Sequence, residues 1–130
     1  MGKVLAKIGR EKYRTVIETD GQSFVMDEPV SLGGKDLGPD PGELLSASLA
    51  ACSAATMKMY ADRKGWVLEE VVVEVDFKKI EKSQATRFSK TIRLKGNLDE
   101  TQKQRLHEIA SRCPIHKLLL GEIEIGSEMA

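Results

Sequence analysis

The chain has 130 residues, 41% of them hydrophobic and 31% charged, and this length and composition predict one soluble globular domain. Twenty Lys and Arg residues balance twenty Asp and Glu residues, and aromatic residues make up only 5%. The basic surface and the stacking platform of a nucleic-acid binder are therefore not expected. Two cysteines make no disulfide framework, and we find neither a secretory signal nor a membrane-spanning segment. We expect a cytoplasmic protein without nucleic-acid or membrane partners.

The N-terminal third alternates apolar and polar residues as β-strands do. Ile8, Ile17 and Phe24 belong to three such segments, and the Asp-Gly pair at positions 20 and 21 predicts the turn between the second and the third. The following stretch, Pro29–Pro41, contains three glycines and three prolines. That composition fits no regular element and predicts a loop.

A long helix is predicted after this loop. Asp40 is a suitable cap, Pro41 favours the first helical position, and Gly65 predicts an end near Lys64. Small apolar residues, mostly alanine, lie almost all round this helix, which is typical of a buried helix. Because one sheet cannot cover every side, we expect close packing against another element, such as the same helix of a partner subunit.

The remaining chain adds two strands, a second helix and a last strand. Trp66–Ile80 alternates most regularly, and its predicted partner carries Phe88, Ile92 and Leu94 on one face. Asp99 and Gln102 match a capping box at the start of the second helix, which we expect Pro114 to interrupt. A further short turn is predicted over Ile115–Leu120 and a last strand through Ile123 and Ile125. The order βββ-α-ββ-α-β defines an α+β fold in a single domain over residues 1–130.

The two cysteines are the candidate reactive groups, although each also has a structural interpretation. Cys52 lies among alanines in the long helix, where a free cysteine is often a core residue. Cys113 is either a core contact of the second helix or a thiol at the start of a new turn, where exposed N–H groups lower a thiol pKa. If the two helices cross, the thiols can pair. Two thiols are the minimum for a cycle of peroxide attack and sulfenic acid resolution.

Other titratable residues give weaker signals. Glu43 lies nine positions before Cys52, about 13.5 Å along an ideal helix and on its opposite face, so direct hydrogen bonding requires a bent or late-starting helix. Its alternative role is to stabilise the helix N-terminus. His107 and His116 are the two histidines, and their spacing from the cysteines does not provide the ligands of a metal site. We therefore expect no metal and no cofactor, and we interpret His116 as a surface or interface residue in a position to tune the nearby Cys113 thiol.

Three stretches of the chain match the motifs of one known family. They are the loop Asp27–Gly34, the segment Gly38–Trp66 around Cys52, and Ser111–Lys117, which reads Ser-Arg-Cys-Pro-Ile-His-Lys. In their order and in their cysteine spacing they resemble the OsmC/Ohr family of osmotically inducible protein C and the organic hydroperoxide resistance proteins. The resemblance implies an intertwined homodimer in which long central helices are wrapped by antiparallel sheets from both chains.

The resemblance also implies an activity, because characterised members of the family reduce organic hydroperoxides with a cysteine pair. Cys52 would be the peroxidatic cysteine and Cys113 the resolving cysteine, and a dithiol of the lipoyl type would reopen their disulfide. Peroxidase members place an acid where this chain has Gly42, and Glu43 is the adjacent acid. They also place an arginine near the position of Leu32. The cations that could replace it here are Lys35, Arg10 and Arg14.

Two further functions remain open at this point. The departures at Gly42 and Leu32, and the apolar residues around Cys52, allow a non-catalytic module of the same fold. Such a module would hold a hydrophobic small molecule in the dimer cleft, with structural cysteines. A redox sensor that is oxidised once and read by a partner is the other alternative.

Overall fold

The computed structural model describes residues 2–130, which form five β-strands, three α-helices and one short 3-10 helix. All strand pairs are antiparallel and lie in two separate sheets, so the predicted α+β class is confirmed. The chain divides into two compact units, of which the first extends to Leu45 and the second is Ser46–Ala130. That the whole chain is a single domain stays a prediction. Within the described residues no helix is long and apolar enough to cross a bilayer.

The first unit contains the three strands predicted for the N-terminal third. They are β1 (Leu5–Ile8), β2 (Thr15–Glu18) and β3 (Ser23–Met26), in the sheet order β1-β2-β3. The β2–β3 turn is closed by a hydrogen bond from the Thr19 N–H to the Gln22 carbonyl at 2.8 Å. Gly21 has φ +100° there, a conformation that glycine adopts without strain, so the Asp-Gly turn is also confirmed.

The loop after β3 differs in one respect from the prediction. It contains a 3-10 helix, Val30–Leu32, where no regular element was expected. Gly33 ends this turn with φ 92°, and its N–H donates to the Val30 carbonyl at 3.0 Å. The turn therefore depends on a left-handed glycine rather than on helix propensity, which is why composition alone did not reveal it. Gly34 packs directly on the Glu28 carbonyl, where no side chain would fit.

The buried carboxylate of Asp27 organises the same loop. Its side chain accepts hydrogen bonds from four backbone N–H groups, those of Tyr13 at 3.1 Å, Glu28 at 2.7 Å, Lys35 at 3.2 Å and Leu37 at 3.2 Å. Burial alone would raise the pKa of Asp27, but these four bonds outweigh it and hold the pKa below the ordinary value of 3.8. The ionised carboxylate thus ties both ends of the loop together.

The long helix, α1, is Pro41–Lys64, with the predicted bounds, and it continues from the first unit into the second. Gly65 follows it with φ +70° and donates its N–H to the Asp62 carbonyl at 3.2 Å, a glycine-terminated helix end. One face of α1 is buried, through residues spaced four apart: Leu49, Ser53, Met57 and Ala61. The expectation of burial on all sides is not met within one chain. Three of the helix alanines, Ala47, Ala51 and Ala55, are exposed.

The second unit places α1 beside a two-stranded sheet. Strands β4 (Glu70–Lys79) and β5 (Thr86–Lys95) pair antiparallel with Val73 opposite Ile92. β4 begins later than the predicted start at Trp66, because the Leu68 N–H donates to the Trp66 carbonyl at 3.1 Å and the chain turns there. A cluster of buried residues holds the helices to this sheet: Met57, Ala61, Leu68, Leu106 and Ala110.

Two helices complete the second unit. α2 (Glu100–Ala110) has the predicted capping box, with Gln102 N–H to Asp99 Oδ1 at 2.8 Å and Asp99 N–H to Gln102 Oε1 at 2.9 Å. α3 (Pro114–Leu120) starts at the proline that ends the preceding turn, as predicted. The predicted last strand is not present in the described chain. No neighbouring strand is available to pair with it, and Ile125 is 91% exposed.

We predict that Asp27→Asn lowers the free energy of unfolding at neutral pH, because the amide turns a donor toward backbone N–H groups that need an acceptor. The carboxyl has a depressed pKa in the folded state, so its contribution is complete well above its ordinary pKa of 3.8 and is lost as pH falls through the folded-state pKa. Urea unfolding of both proteins from about pH 7 to pH 3 measures this. The difference should be constant above about pH 5 and shrink progressively below it. A pH-independent difference would contradict it.

Candidate active site

The second unit brings the two cysteines together. Cys52 lies in the middle of α1 beside Ser53, and Cys113 lies between α2 and α3, where its sulfur contacts the Ser53 hydroxyl. Both are free cysteines. Cys113 has no exposed surface in the chain, whereas Cys52 is half-buried. The sequence left open whether the two cysteine-bearing segments meet, and the contact between Ser53 and Cys113 shows that they do.

Cys113 occupies the capping position of α3. Its backbone is extended, with φ −66° and ψ 144°, and its Sγ accepts a hydrogen bond from the His116 N–H at 3.2 Å. Pro114 at the first helical position makes this geometry possible, since it fixes φ and has no N–H of its own to satisfy. The second of the two sequence interpretations of Cys113, a thiol at the start of a new turn, is therefore confirmed, and the residue is a core residue as well.

A hydroxyl and an ammonium group complete the surroundings of the Cys113 sulfur. Ser53 Oγ lies 3.6 Å from Cys113 Sγ, and Lys90 Nζ donates to that Oγ at 2.9 Å. Lys90 also donates to the carbonyl of Ala110, the last residue of α2, at 3.1 Å. The α1 helix, β5 and the end of α2 therefore meet at Lys90.

Sequence reasoning missed Lys90, although a signal was present. Phe88, Ile92 and Leu94 define the apolar face of β5 in the sequence. Position 90 lies on that same face because side chains alternate along a strand. A lysine in an apolar row that faces the core is unusual, since burial of an ammonium group is costly without acceptors. Such a lysine is a candidate for a role beyond solubility.

The environment lowers the pKa of the Cys113 thiol. Burial alone would raise it, but hydrogen bonds from Ser53, from the His116 N–H and from Cys52, together with the Lys90 charge, stabilise the thiolate. Burial lowers the pKa of Lys90, and negative charge on Cys113 and Cys52 opposes that effect. Burial and then the Lys90 charge lower the pKa of His116 from 6.5, which favours a neutral ring at neutral pH.

The other predicted site residues lie in the first unit. Glu43 and Asp40 cap α1 reciprocally, with Glu43 N–H to Asp40 Oδ1 at 2.7 Å and Asp40 N–H to Glu43 Oε1 at 3.0 Å. The structural interpretation of Glu43 is thus supported by direct contacts, and its catalytic role stays a prediction. Lys35 Nζ lies 3.5 Å from Glu11 Oε1 at an exposed position. Two further predicted cations, Arg10 and Arg14, are also exposed. No group of three or more potential metal ligands occurs within residues 2–130.

Comparison with known proteins gives the family. The model of the OsmC-like protein family matches residues 33–128, and the chain belongs to that family. An OsmC-like protein from Mycoplasma pneumoniae is 20% identical, with a TM-score of 0.77 over 93% of this chain and 88% of that chain. The organic hydroperoxide resistance protein OhrB of Bacillus subtilis is 25% identical, with a TM-score of 0.63 over 93% of this chain and 91% of that chain. No curated protein matches significantly.

A third solved structure agrees with this assignment. An organic hydroperoxide resistance protein OsmC from Legionella pneumophila is 22% identical, with a TM-score of 0.65 over 93% of this chain and 90% of that chain. The resemblance to the OsmC/Ohr family in the sequence is therefore confirmed, together with the α+β fold of one chain, and the intertwined homodimer stays a prediction.

We predict that Glu43 contributes to stability through its hydrogen bond to the Asp40 N–H. Glu43→Gln keeps an acceptor at that place and should change the free energy of unfolding by less than about 0.5 kcal/mol. Asp40→Ala removes the acceptor of the Glu43 N–H and should lower the free energy of unfolding by about 1 kcal/mol. Urea unfolding of the three proteins measures both effects. If Glu43→Gln instead abolished peroxide turnover with stability intact, the carboxylate would have a chemical role.

Proposed function

We propose that this protein is a thiol-dependent peroxidase that reduces organic hydroperoxides with Cys52 and Cys113. The observation that carries the proposal is the closeness of the two cysteines on a fold of the OsmC-like family: Cys113 contacts Ser53, the neighbour of Cys52, and Cys52 helps to lower the pKa of Cys113. Solved structures of this fold include two proteins named for organic hydroperoxide resistance, which supports the choice of substrate. Two neighbouring thiols give up two electrons when they form a disulfide, which is the number that reduction of one peroxide requires.

In the first step the Cys52 thiolate attacks the terminal oxygen of the hydroperoxide, the one that carries the hydrogen. The new S–O bond forms as the O–O bond breaks, the second oxygen leaves with the electron pair, and a proton converts it to an alcohol. Cys52 is oxidised to a sulfenic acid and the peroxide is reduced. In the second step the Cys113 thiolate attacks the Cys52 sulfur, the S–S bond forms, and the departing hydroxide takes up a proton to give water.

The order of the two thiols follows from exposure. Cys113 has no exposed surface in the chain, so a peroxide arriving from solvent meets the half-buried Cys52. Cys113 is then in place to act on the sulfenic acid within the protein, before further peroxide converts it to an irreversible form. A dithiol reductant of the lipoyl type reopens the disulfide and becomes a cyclic disulfide itself. The cytoplasm is the compartment that would keep both thiols reduced.

We also propose that the protein acts as a homodimer. The exposed alanine face of α1, with Ala47, Ala51 and Ala55, allows close approach of a second backbone because these side chains are small. The family resemblance implies a partner chain at this place.

The test is turnover of cumene hydroperoxide and hydrogen peroxide with dihydrolipoamide, for the parent protein, Cys52→Ser and Cys113→Ser. We expect faster turnover of the organic peroxide by the parent and complete loss in Cys52→Ser. In the absence of dihydrolipoamide, Cys113→Ser should consume one peroxide per subunit and accumulate a sulfenic acid that dimedone labels at Cys52. Parent turnover no faster than that of free cysteine would contradict the proposal and favour a non-catalytic module that holds a hydrophobic small molecule.

A further inference from the structure

We propose that Lys90 and Ser53 are positioning residues that favour the thiolate form of the buried Cys113 sulfur in the resolving step. This inference rests on the proposed function and deepens it, because it assigns a cation to a thiol for which the sequence offered none. The pair is defined by two contacts, from Lys90 Nζ to Ser53 Oγ at 2.9 Å and from Ser53 Oγ to Cys113 Sγ at 3.6 Å.

The direction of these hydrogen bonds follows from the groups themselves. An ammonium group can only donate, so the Ser53 oxygen accepts from Lys90. The single proton of the Ser53 hydroxyl is then available for the Cys113 sulfur, which accepts when it is a thiolate. A protonated Cys113 gains less from this arrangement, because it can receive no more than a weak neutral hydrogen bond. The contacts therefore favour the ionised form of Cys113.

Because the Cys113 sulfur is buried, its ionisation depends on these contacts. Ser53 and Cys113 both have 0% exposure, so water does not solvate a thiolate at this place in the chain. An unsolvated charge is costly, and only donors and charges within the protein can offset the cost. The groups facing the sulfur are the His116 N–H from α3, Cys52 and the Ser53 hydroxyl from α1, and the Lys90 ammonium group from β5. The His116 ring favours the neutral form, so its backbone N–H, rather than ring charge, supports the thiolate.

A purely structural role for Lys90 is the alternative to be tested. Lys90 also donates to the Ala110 carbonyl at 3.1 Å and could serve only to satisfy the end of α2. That role would affect stability but would not link the lysine to the ionisation of Cys113. The two roles therefore differ in the pH dependence of the thiol, which can be measured directly.

The first experiment titrates Cys113 alone, in a Cys52→Ser background, through the ultraviolet absorbance of the thiolate. The variant lacking both cysteines supplies the tyrosine baseline. We expect Lys90→Met and Ser53→Ala each to move the midpoint to higher pH, and Lys90→Arg to keep it near the parent value because the charge remains. Lys95→Met is the matched control, since it removes the same charge from an exposed position on the same strand.

The second experiment measures the resolving step in the protein with both cysteines. After one equivalent of cumene hydroperoxide, Lys90→Met and Ser53→Ala should form the disulfide roughly threefold to tenfold more slowly at neutral pH, because less Cys113 is ionised. The rate of Cys52 oxidation, monitored by dimedone labelling of the sulfenic acid, should change less than the rate of disulfide formation. Thermal unfolding of each variant separates loss of structure from loss of ionisation.

The outcomes separate this inference from the proposed function. If the titration midpoint of both Lys90→Met and Ser53→Ala equals that of the parent, the positioning role is wrong, whatever the peroxidase assay shows. If Cys52 does not react with peroxides but the midpoints move as expected, the proposed function fails while the influence of Lys90 and Ser53 on Cys113 stands. A lower unfolding temperature without a midpoint change would assign Lys90 to the end of α2 alone.

Discussion

The second unit depends on one constraint, which is that a sulfur atom without access to solvent is surrounded by hydrogen-bond donors. Cys113 receives one N–H from the start of α3, a hydroxyl from α1 and, through that hydroxyl, the charge of a lysine on β5. A neutral thiol needs none of these groups, because it behaves as a small apolar residue in a core. Their convergence is understandable if the sulfur carries a negative charge during the working cycle, because that charge adds to the two acceptors, Ser53 and the Ala110 carbonyl, that offset the partial burial of Lys90.

The apolar core fixes the positions of these groups. Met57 and Ala61 of α1 pack in one cluster with Leu106 and Ala110 of α2. Ser53 precedes Met57 by four residues and lies on the same buried face, so helix geometry directs it to the place where α2 ends. Cys113 follows Ala110 by three residues, after the turn that Pro114 terminates. The contacts between Ser53 and Cys113 are therefore a consequence of how two helices pack.

Local signals in the sequence were sufficient for most of the fold. The bounds of α1 and the capping box of α2 were predicted correctly because caps, prolines and left-handed glycines act on the nearest few residues. The 3-10 helix and the late start of β4 were missed because both depend on single backbone hydrogen bonds in turns. The predicted strand at Ile123 and Ile125 needs a neighbouring strand, which periodicity does not provide.

The candidate site was predictable only in part, for a similar reason. The cysteines were found from their residue type and from the family resemblance, and the helix start at Cys113 was found from Pro114. Lys90 was missed because its position near the site is evident only from its hydrogen bond to Ser53. That residue is 37 positions away in the chain, and no local pattern links the two. The acid Glu43 was weighed for chemistry, yet its contacts are with the helix cap, which is a local interaction that the sequence also allowed.

Under the proposed function, a disulfide between Cys52 and Cys113 has two unequal ends. A dithiol from solvent reaches the sulfur of the half-buried Cys52 more readily than that of Cys113, so Cys113 is the thiol that leaves. Thiols of lower pKa leave faster, and the donors around Cys113 stabilise it as a thiolate. A lower pKa also makes a thiolate a weaker nucleophile, but the nucleophilicity falls by less than the ionised fraction rises while the pKa stays above ambient pH. The same contacts therefore favour Cys113 both when it attacks the sulfenic acid and when it is released by the reductant.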